Sequence, residues 1–226
     1  MQRNSKQRML EQGVALLLQH GYSDLGVATL LESTGLPKGS FYHHFASKED
    51  FGLQVVDLYM QEVHAGLAHC LDDEGLPPLD RVRRFFELSA EKYRTQGNLG
   101  CLLGGLGQEL SGISETFRLR VEECFRRIED RLAHCFALAV ERGELARSAD
   151  PHAMAELLVN CWEGAALRSR LRRDTGPLQD MLDFYFRLVA AQSARPRTPA
   201  ATPSSRRGRT GHPARTARLS SRGVKT

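Results

Sequence analysis

Hydrophobic residues recur every three or four positions through most of residues 3–192, and no segment alternates as a half-buried strand does. The first segment carries its stripe at Met9, Leu10, Gly13, Leu16 and Leu17. Gly21 and Gly35 follow the first two segments, and glycine often ends helices because it tolerates a positive φ. The pattern therefore predicts an all-α fold of about nine helices.

The predicted helices fall into two groups. In the first, one helix ends at Gly21, a second covers 27–34, a very short third covers 39–45, and a fourth is capped by Ser47. After Pro77-Pro78, helices are predicted near 79–95, 101–111, 114–142, 150–172 and 177–192, separated by glycine and proline. We interpret residues 1–50 and 51–193 as two domains.

Charge separates the C-terminal tail from the rest of the chain. The 226 residues include 31 basic and 27 acidic side chains, but residues 194–226 hold nine of the basic and none of the acidic ones. The remaining 22 basic and 27 acidic side chains give residues 1–193 a net charge of −5. Because the tail has too little apolar surface to offset the entropy of ordering, residues 194–226 are predicted to be disordered. Any nucleic-acid surface on the folded part must then be local.

Several classes of protein are excluded by composition. No apolar run approaches the roughly 20 residues of a membrane helix, and no apolar segment of a secretory signal follows the N-terminus. A cytoplasmic protein with no membrane partner is expected. The five cysteines are dispersed without a Cys-x-x-Cys pair, which argues against a disulfide framework and a structural zinc site. No cofactor and no metal are predicted.

Residues 27–45 have the pattern of a helix-turn-helix, whose second helix enters the major groove of DNA. Lys38 lies at the start of that helix, where a cation meets phosphate, and Gly39 permits a close approach of the backbone. Phe41 and Phe45, four positions apart, are expected to face inward. The residues predicted to contact DNA are Lys38, Gly39, Ser40, Tyr42, His43 and Lys48.

The segment Gly35-Leu36-Pro37-Lys38-Gly39-Ser40-Phe41-Tyr42-His43-His44-Phe45-Ala46-Ser47-Lys48-Glu49 resembles the signature of the TetR family of bacterial repressors. The resemblance implies an all-helical homodimer that binds double-stranded operator DNA. It also implies a C-terminal domain that binds a small-molecule effector, with the last two helices forming the dimer's four-helix bundle. The DNA contacts of the family fall on the six residues predicted above. The chain departs from the family at Leu25, Gly26 and Ala28, where a capping Thr or Ser and a nearby Arg are common. Ser23 or Thr29 are the possible substitutes.

The apolar stripes of the last two predicted helices need a partner surface, which a second copy would supply. They consist of Met154, Leu157, Leu158, Cys161, Ala165, Phe184, Leu188 and Ala191.

Cys101 begins a helix with an unusual glycine content, since residues 98–110 include four glycines. Helix N-termini stabilise thiolates, so a lowered thiol pKa and reaction with an electrophile are predicted for Cys101. The Gly-Cys-Leu start of this helix also resembles a TetR subgroup that includes sensors of electrophiles or unsaturated acids. The alternative is that Cys101 packs as a small hydrophobe, as free cysteines usually do. The other predicted ligand-sensing residues are aromatic: Phe85, Tyr93, Phe117 and Trp162.

Two other functions remain open at this point. A nonspecific nucleic-acid-binding protein would use the basic tail, although the acidic folded part argues against it. A helical enzyme is the second alternative, but the sequence contains no nucleophile elbow, phosphate loop or His-Glu-x-x-His motif. We therefore expect a protein without enzymatic activity that represses transcription and releases its operator when a small molecule binds or reacts.

Overall fold

The computed structural model describes residues 5–97 and 100–193, and these residues form nine α-helices and no strand. The all-α prediction is confirmed. The helices are α1 Ser5–Asp24, α2 Val27–Thr34, α3 Ser40–His44, α4 Lys48–Leu71, α5 Pro78–Thr95, α6 Leu102–Leu110, α7 Glu115–Glu141, α8 Pro151–Arg172 and α9 Gly176–Ser193. None of these helices is long and apolar enough to cross a membrane. The predicted tail, residues 194–226, lies outside the described residues.

Side-chain caps start three of the helices, α4, α7 and α8. Ser47 Oγ accepts a hydrogen bond from the amide of Asp50 at 3.0 Å and starts α4, as its sequence predicted. Asp150 Oδ1 accepts from the amides of His152 and Ala153 and starts α8. Gly21 behaves differently from the prediction. It has φ 81° and interrupts α1, but a further helical turn follows it as far as Asp24.

The predicted boundary between residues 50 and 51 falls inside α4, two residues after its start. The first turn of α4 lies beside α3, and the rest of α4 packs against α1, α5 and α7. Gly52 lies where α1, α4 and α7 approach most closely, because a Cβ there would lie 2.7 Å from the Phe117 ring and 2.9 Å from the Tyr22 ring. One helix is therefore shared between the two predicted domains.

The core runs continuously from α1 to α9. Long helices α7 and α8 pack on each other along much of their length, and α9 packs on α8 and α5. Leu158 and Ala165 of the predicted dimer stripe are buried within this core. Leu157, Phe184 and Leu188 of the same stripe are exposed by 56%, 59% and 49% of their surface, so α8 and α9 leave an uncovered apolar face.

Candidate DNA interface and effector cavity

The turn between α2 and α3 is built by Gly35. Its φ of 64° ends α2 in the left-handed conformation, and its amide donates to the carbonyl of Glu32 at 3.1 Å. Ser40 N then donates to the carbonyl of Pro37 at 2.9 Å, which starts α3 directly after the turn. The sequence thus folds locally into a helix-turn-helix with a second helix of only five residues.

Three aromatic rings hold this short helix in place. Phe41 and Phe45 are buried, and their ring centroids lie 5.1 Å apart. The ring of Phe51, from α4, lies 5.5 Å from Phe41 and 5.0 Å from Phe45. Because five residues cannot form a stable helix alone, this packing fixes the orientation of α3.

Two hydrogen bonds fasten α1 to the same unit. Ser5 Oγ lies 2.6 Å from His44 Nε2, and a guanidinium nitrogen of Arg8 donates to the carbonyl of Thr34 at 2.5 Å. The three helices are therefore joined to one another and to the start of α4 by direct contacts.

The predicted DNA-contacting residues divide into two sets. Lys38, Gly39, Tyr42 and His43 are exposed and Ser40 is half-buried, so five of the six residues lie on the turn and on α3. Tyr42 is 70% exposed, although it directly follows the buried Phe41. The Tyr42 ring packs edge-on against Phe41 at 5.2 Å, so its hydroxyl end faces away from the core.

Lys48 belongs to a different environment. It is half-buried, its Nζ donates to the carbonyl of Ser23 at 3.3 Å, and it lies 4.5 Å from the centroid of the Tyr22 ring. The ammonium group of Lys48 is thus engaged with the end of α1 in this structure.

Gly26 starts α2 without a side-chain hydrogen bond to the helix amides, as its departure from the family pattern implies. Ser23 and Thr29, the possible substitutes, are both exposed.

Glu109 of α6 joins the end of α1 to the rest of the molecule. Its two carboxylate oxygens accept hydrogen bonds from the amides of Tyr22 and Ser23, at 2.8 and 2.5 Å. Burial raises the pKa of Glu109, but hydrogen bonds from Ser23 and Tyr22 and the nearby Lys48 outweigh this effect and lower the pKa overall. Glu109 is therefore a carboxylate at neutral pH, held where the positive φ of Gly21 turns the chain toward it.

A cavity of about 190 Å³ lies between α4, α5, α7 and α8. Four of the predicted ligand-sensing residues line it: Phe85, Tyr93, Cys101 and Trp162. The fifth, Phe117, lies elsewhere. Its side chain is 1% exposed and its ring packs at 5.1 Å from that of Tyr22, because its position on α7 faces α1 and the start of α4.

Five polar or aromatic side chains line this cavity together: Tyr59, Tyr93, Cys101, Trp162 and Glu163. The Tyr59 hydroxyl and Cys101 Sγ lie 3.9 Å apart, and either group can be the donor. Glu163 reaches the same end of α6, because a Cβ on Gly104 would lie 3.9 Å from Cys101 Cβ and would collide with Glu163 Oε2. We call these five residues the polar relay.

The prediction of a lowered thiol pKa at Cys101 is wrong. Burial and the neighbouring Glu163 raise the pKa of the Cys101 thiol well above its ordinary value, and the Gly104 amide and the Tyr59 hydroxyl offset only part of this effect. Cys101 does precede the first residue of α6, as expected, but a favourable helix terminus is a smaller effect than the loss of water.

Glu163 and Tyr59 were not predicted from the sequence. Glu163 lies four positions after Val159 and three before Ala166, both buried, so it interrupts the inward stripe of α8 with a carboxyl group. An acidic residue on an inward stripe is the signal that would have identified it. Burial raises the pKa of Glu163 to about 7, while the hydrogen bond from Cys101 opposes this shift.

A second, more open cavity of about 430 Å³ adjoins the first between α1, α6 and α8. Four residues line both cavities: Leu18, Gly100, Cys101 and Glu163. The Cys101–Glu163 pair therefore forms part of the wall between an aromatic chamber and a wider cleft.

Comparison with known proteins assigns two parts of the chain to one family. Residues 9–55 match the profile described as bacterial regulatory proteins, tetR family, and residues 78–185 match the tetracyclin repressor-like C-terminal domain. The chain is 37% identical to the transcriptional regulator AcuR of Cereibacter sphaeroides over 80% of this chain and 83% of that protein. It is 32% identical to the transcriptional repressor DhaR of Mycobacterium sp. strain GP1, over 80% and 90% of the two chains. This chain belongs to the TetR family.

The solved structures agree with this assignment. The crystal structure of the reduced form of Escherichia coli NemR superimposes with a TM-score of 0.74 at 29% identity, covering 81% of this chain and 95% of that one. TetR-family repressors bind operator DNA and small-molecule effectors, typically as dimers. The prediction of a ligand-responsive, DNA-binding transcriptional repressor is confirmed, and the matches favour it over the nonspecific-binding and enzyme alternatives.

The exposed residues on the turn and on α3 lead to a prediction for DNA binding. Lys38→Ala should weaken operator binding without changing the thermal unfolding midpoint, because the lysine is exposed and its predicted contact is with phosphate. Losing one phosphate contact should lower the slope of log K against log salt by about 0.9. Fluorescence anisotropy across a salt series measures both quantities. Arg126→Ala, which removes an exposed cation from α7, is the control and should change neither. An unchanged slope for Lys38→Ala would place the DNA surface elsewhere.

Proposed function

We propose that this TetR-family chain acts in the cytoplasm as a homodimeric repressor that releases its operator when a small electrophile or unsaturated molecule binds or reacts at Cys101. One observation carries the proposal: α6 has Cys101 and the aromatic cavity at its N-terminal end and Glu109, bonded to α1, at its C-terminal end. The subgroup with Gly-Cys-Leu at the start of this helix is part of the same proposal.

Residues 1–50 form the proposed DNA-binding domain, and residues 51–193 the proposed effector and dimerisation domain. Lys38, Gly39, Ser40, Tyr42 and His43 contact the major groove or its phosphates. Lys48 approaches a phosphate only if it leaves the Ser23 carbonyl, so its contribution depends on the arrangement at the end of α1. The basic tail, residues 194–226, adds sequence-independent contacts with phosphate.

Movement of α6 is the proposed link between the two events. Eight residues separate Cys101 from Glu109, about 12 Å along a helix axis. Four glycines between residues 100 and 107 lower the stability of this helix, so it can shift at modest cost. A shift would pull on the amides of Tyr22 and Ser23 and turn the DNA-binding unit. The two recognition helices of a dimer must lie roughly 34–36 Å apart to enter successive major grooves, so a small turn loses one half-site.

The effector chemistry rests on the thiol. Cys101 is half-buried and reached from two cavities, whereas Cys70, Cys124 and Cys135 are buried. Burial raises the pKa of Cys124 and of Cys135 to about 11 and raises that of Cys101 as well, so access from the cavities and the neighbouring Glu163, rather than acidity, distinguish Cys101. The solved structure of NemR is that of its reduced form, and thiols are the usual redox-active side chains of proteins. Packing of Cys101 as a small hydrophobe remains the competing interpretation.

The uncovered apolar face of α8 and α9 supports a homodimer, since its exposed residues have no partner within the described chain. The double variant Phe184→Glu, Leu188→Glu should be a monomer, because it places charges at the centre of this face. Sedimentation equilibrium measures the change against a dimeric wild type. Leu119→Glu, at a 53% exposed position on α7, should remain a dimer. A wild type that stays monomeric at micromolar concentration would contradict the proposal.

Operator release tests the role of Cys101. A mild thiol-reactive electrophile should dissociate the wild-type protein from operator DNA in an anisotropy assay, and Cys101→Ser should stay bound at least tenfold longer. Serine keeps the side-chain size and loses the nucleophile, while Cys161→Ser controls for the other half-buried thiol. Equal release by wild type and Cys101→Ser would show that Cys101 only packs.

A further inference from the structure

The Cys101–Glu163 pair is more than a contact between two neighbouring side chains. Gly104, one turn into α6, leaves the space that the carboxyl group occupies, because a Cβ at this position would collide with Oε2 of Glu163. Gly105, the next residue on the same helix, has open space where its Cβ would lie. The helix is therefore shaped at one position to admit the Glu163 carboxyl group beside the thiol.

Glu163 has no cationic partner among the described ion pairs, in contrast to surface carboxylates of α4, α5 and α7. A buried carboxyl group without a cation reduces stability, so Glu163 does not serve to hold the fold together. Its partner is the thiol of Cys101, and both side chains line the two cavities.

We propose that Glu163 accepts the proton of the Cys101 thiol as the sulfur adds to an uncharged α,β-unsaturated carbonyl compound in the cavity, while the Tyr59 hydroxyl stabilises the sulfur. This inference rests on the proposed function, since it names the chemistry by which the effector would react with Cys101. Sensing of an electrophile by a single thiol would need neither Glu163 nor Tyr59, whereas this inference gives both side chains a role in the reaction.

The step balances without an oxidant or a leaving group. The C–S bond forms at the β-carbon as the carbon–carbon π bond breaks, and the thiol proton passes to the Glu163 carboxylate. The resulting enolate takes a proton at the α-carbon from the Glu163 carboxylic acid, which regenerates the carboxylate. The net reaction is addition of S–H across the double bond.

A neighbouring base matters here because the Cys101 thiol loses its proton with difficulty. Burial raises its pKa, so very little thiolate exists at neutral pH, and a base must remove the proton as the bond forms. A general base acts best when its pKa lies near the working pH, and burial has raised that of Glu163 to about 7. The Tyr59 hydroxyl lies 3.9 Å from the sulfur, and by donating to it would stabilise the negative charge that develops there.

The same carboxyl group sets the class of ligand. An anionic compound would have to place its charge beside the Glu163 carboxylate in a chamber walled by Phe85, Phe86 and Trp162, which is unfavourable in a low dielectric. An uncharged aldehyde, ketone or amide meets no such penalty. The wider cleft on the other side of the pair gives it a route to the sulfur.

Other titratable groups surround the pair. Tyr59 of α4 and Tyr93 of α5 face it from the aromatic chamber, while His20 of α1 and Arg170 of α8 line the wider cleft. Glu122 and Glu129 of α7 line a third cavity that also reaches Glu163. The pH at which the pair reacts therefore has to be assigned by substitution of Glu163 itself.

Alkylation of the intact protein by acrylamide, followed by mass spectrometry with peptide mapping, tests the proposal. The wild-type rate at Cys101 should rise as Glu163 loses its proton near pH 7 and then level off. Glu163→Gln should react at least tenfold more slowly at pH 7.5, and its rate should keep rising with pH. Glu156→Gln, exposed two turns earlier on α8, should match wild type. A Glu163→Gln rate and pH profile equal to those of wild type would overturn the proposal.

A glycine pair gives a second test that leaves Glu163 in place. Gly104→Ala should displace the carboxyl group and slow alkylation of Cys101, whereas Gly105→Ala should not, although both add the same methyl group to one helix. Equal rates for the two variants, with both folded by circular dichroism, would contradict the proposal.

The ligand class is tested by comparing acrylamide with acrylate. The alkylation rate of Cys101 by each compound is divided by the rate at which the same compound alkylates glutathione. The resulting ratio should be at least tenfold higher for acrylamide than for acrylate. An equal or inverted ratio would overturn the assignment to uncharged ligands.

Operator release in the same samples separates this inference from the proposed function. Fast, Glu163-dependent alkylation without loss of DNA binding would leave the pair as assigned and contradict the sensing function. Loss of DNA binding together with an alkylation rate that does not depend on Glu163 would support the sensing function and contradict the role assigned to Glu163.

Discussion

The fold depends on a carboxylate that binds backbone amides across a helix junction. Glu109 accepts hydrogen bonds from the amides of Tyr22 and Ser23, which the turn at Gly21 leaves without partners in α1. Hydrogen bonds to an ionised acceptor are stronger than those between neutral groups, so a carboxylate is preferred there. The same carboxylate attracts Lys48 at the start of α4. Helices α1, α4 and α6 thus meet at the Glu109 side chain. A movement of α6 would therefore be transmitted to the start of the DNA-binding unit.

The opposite end of α6 is governed by burial rather than by exposed charge. The polar relay places two tyrosines, a thiol and a carboxyl group among aromatic rings, and burial raises the pKa of all four groups. Low dielectric keeps Tyr59 and Cys101 protonated and brings the Glu163 carboxyl group close to half-ionised at neutral pH. A molecule that enters this chamber changes hydrogen bonds that lie directly at the N-terminus of a short, glycine-rich helix.

Much of this arrangement follows from local sequence patterns. The helices beyond Pro77 lie within two residues of their predicted bounds, because caps and helix-ending glycines act over a few residues. The inward faces of Phe41 and Phe45 likewise follow from helical spacing. The side-chain chemistry of the cavity does not. The direction of the pKa shift at Cys101 depends on burial by α4, α5 and α8, which lie far away in the chain. Phe117 was assigned to the cavity by residue type, but the rotation of α7 turns it toward Tyr22. Glu109 left a weak signal, since an anion in the last turn of a helix opposes the helix dipole and needs an outside partner.

The central claim is that α6 carries the effector signal to the DNA-binding unit through Glu109. The most direct measurement is the change in operator affinity that acrylamide modification causes, compared between wild type and Glu109→Gln. Glutamine presents an amide donor to one of the two backbone amides and lacks the charge that attracts Lys48. Modification of Cys101 should proceed equally in both proteins, while the loss of operator affinity on modification should be about tenfold smaller in Glu109→Gln. Glu115→Gln, an exposed carboxylate at the start of α7, should behave as wild type. An equal loss of affinity in Glu109→Gln and wild type would contradict the account.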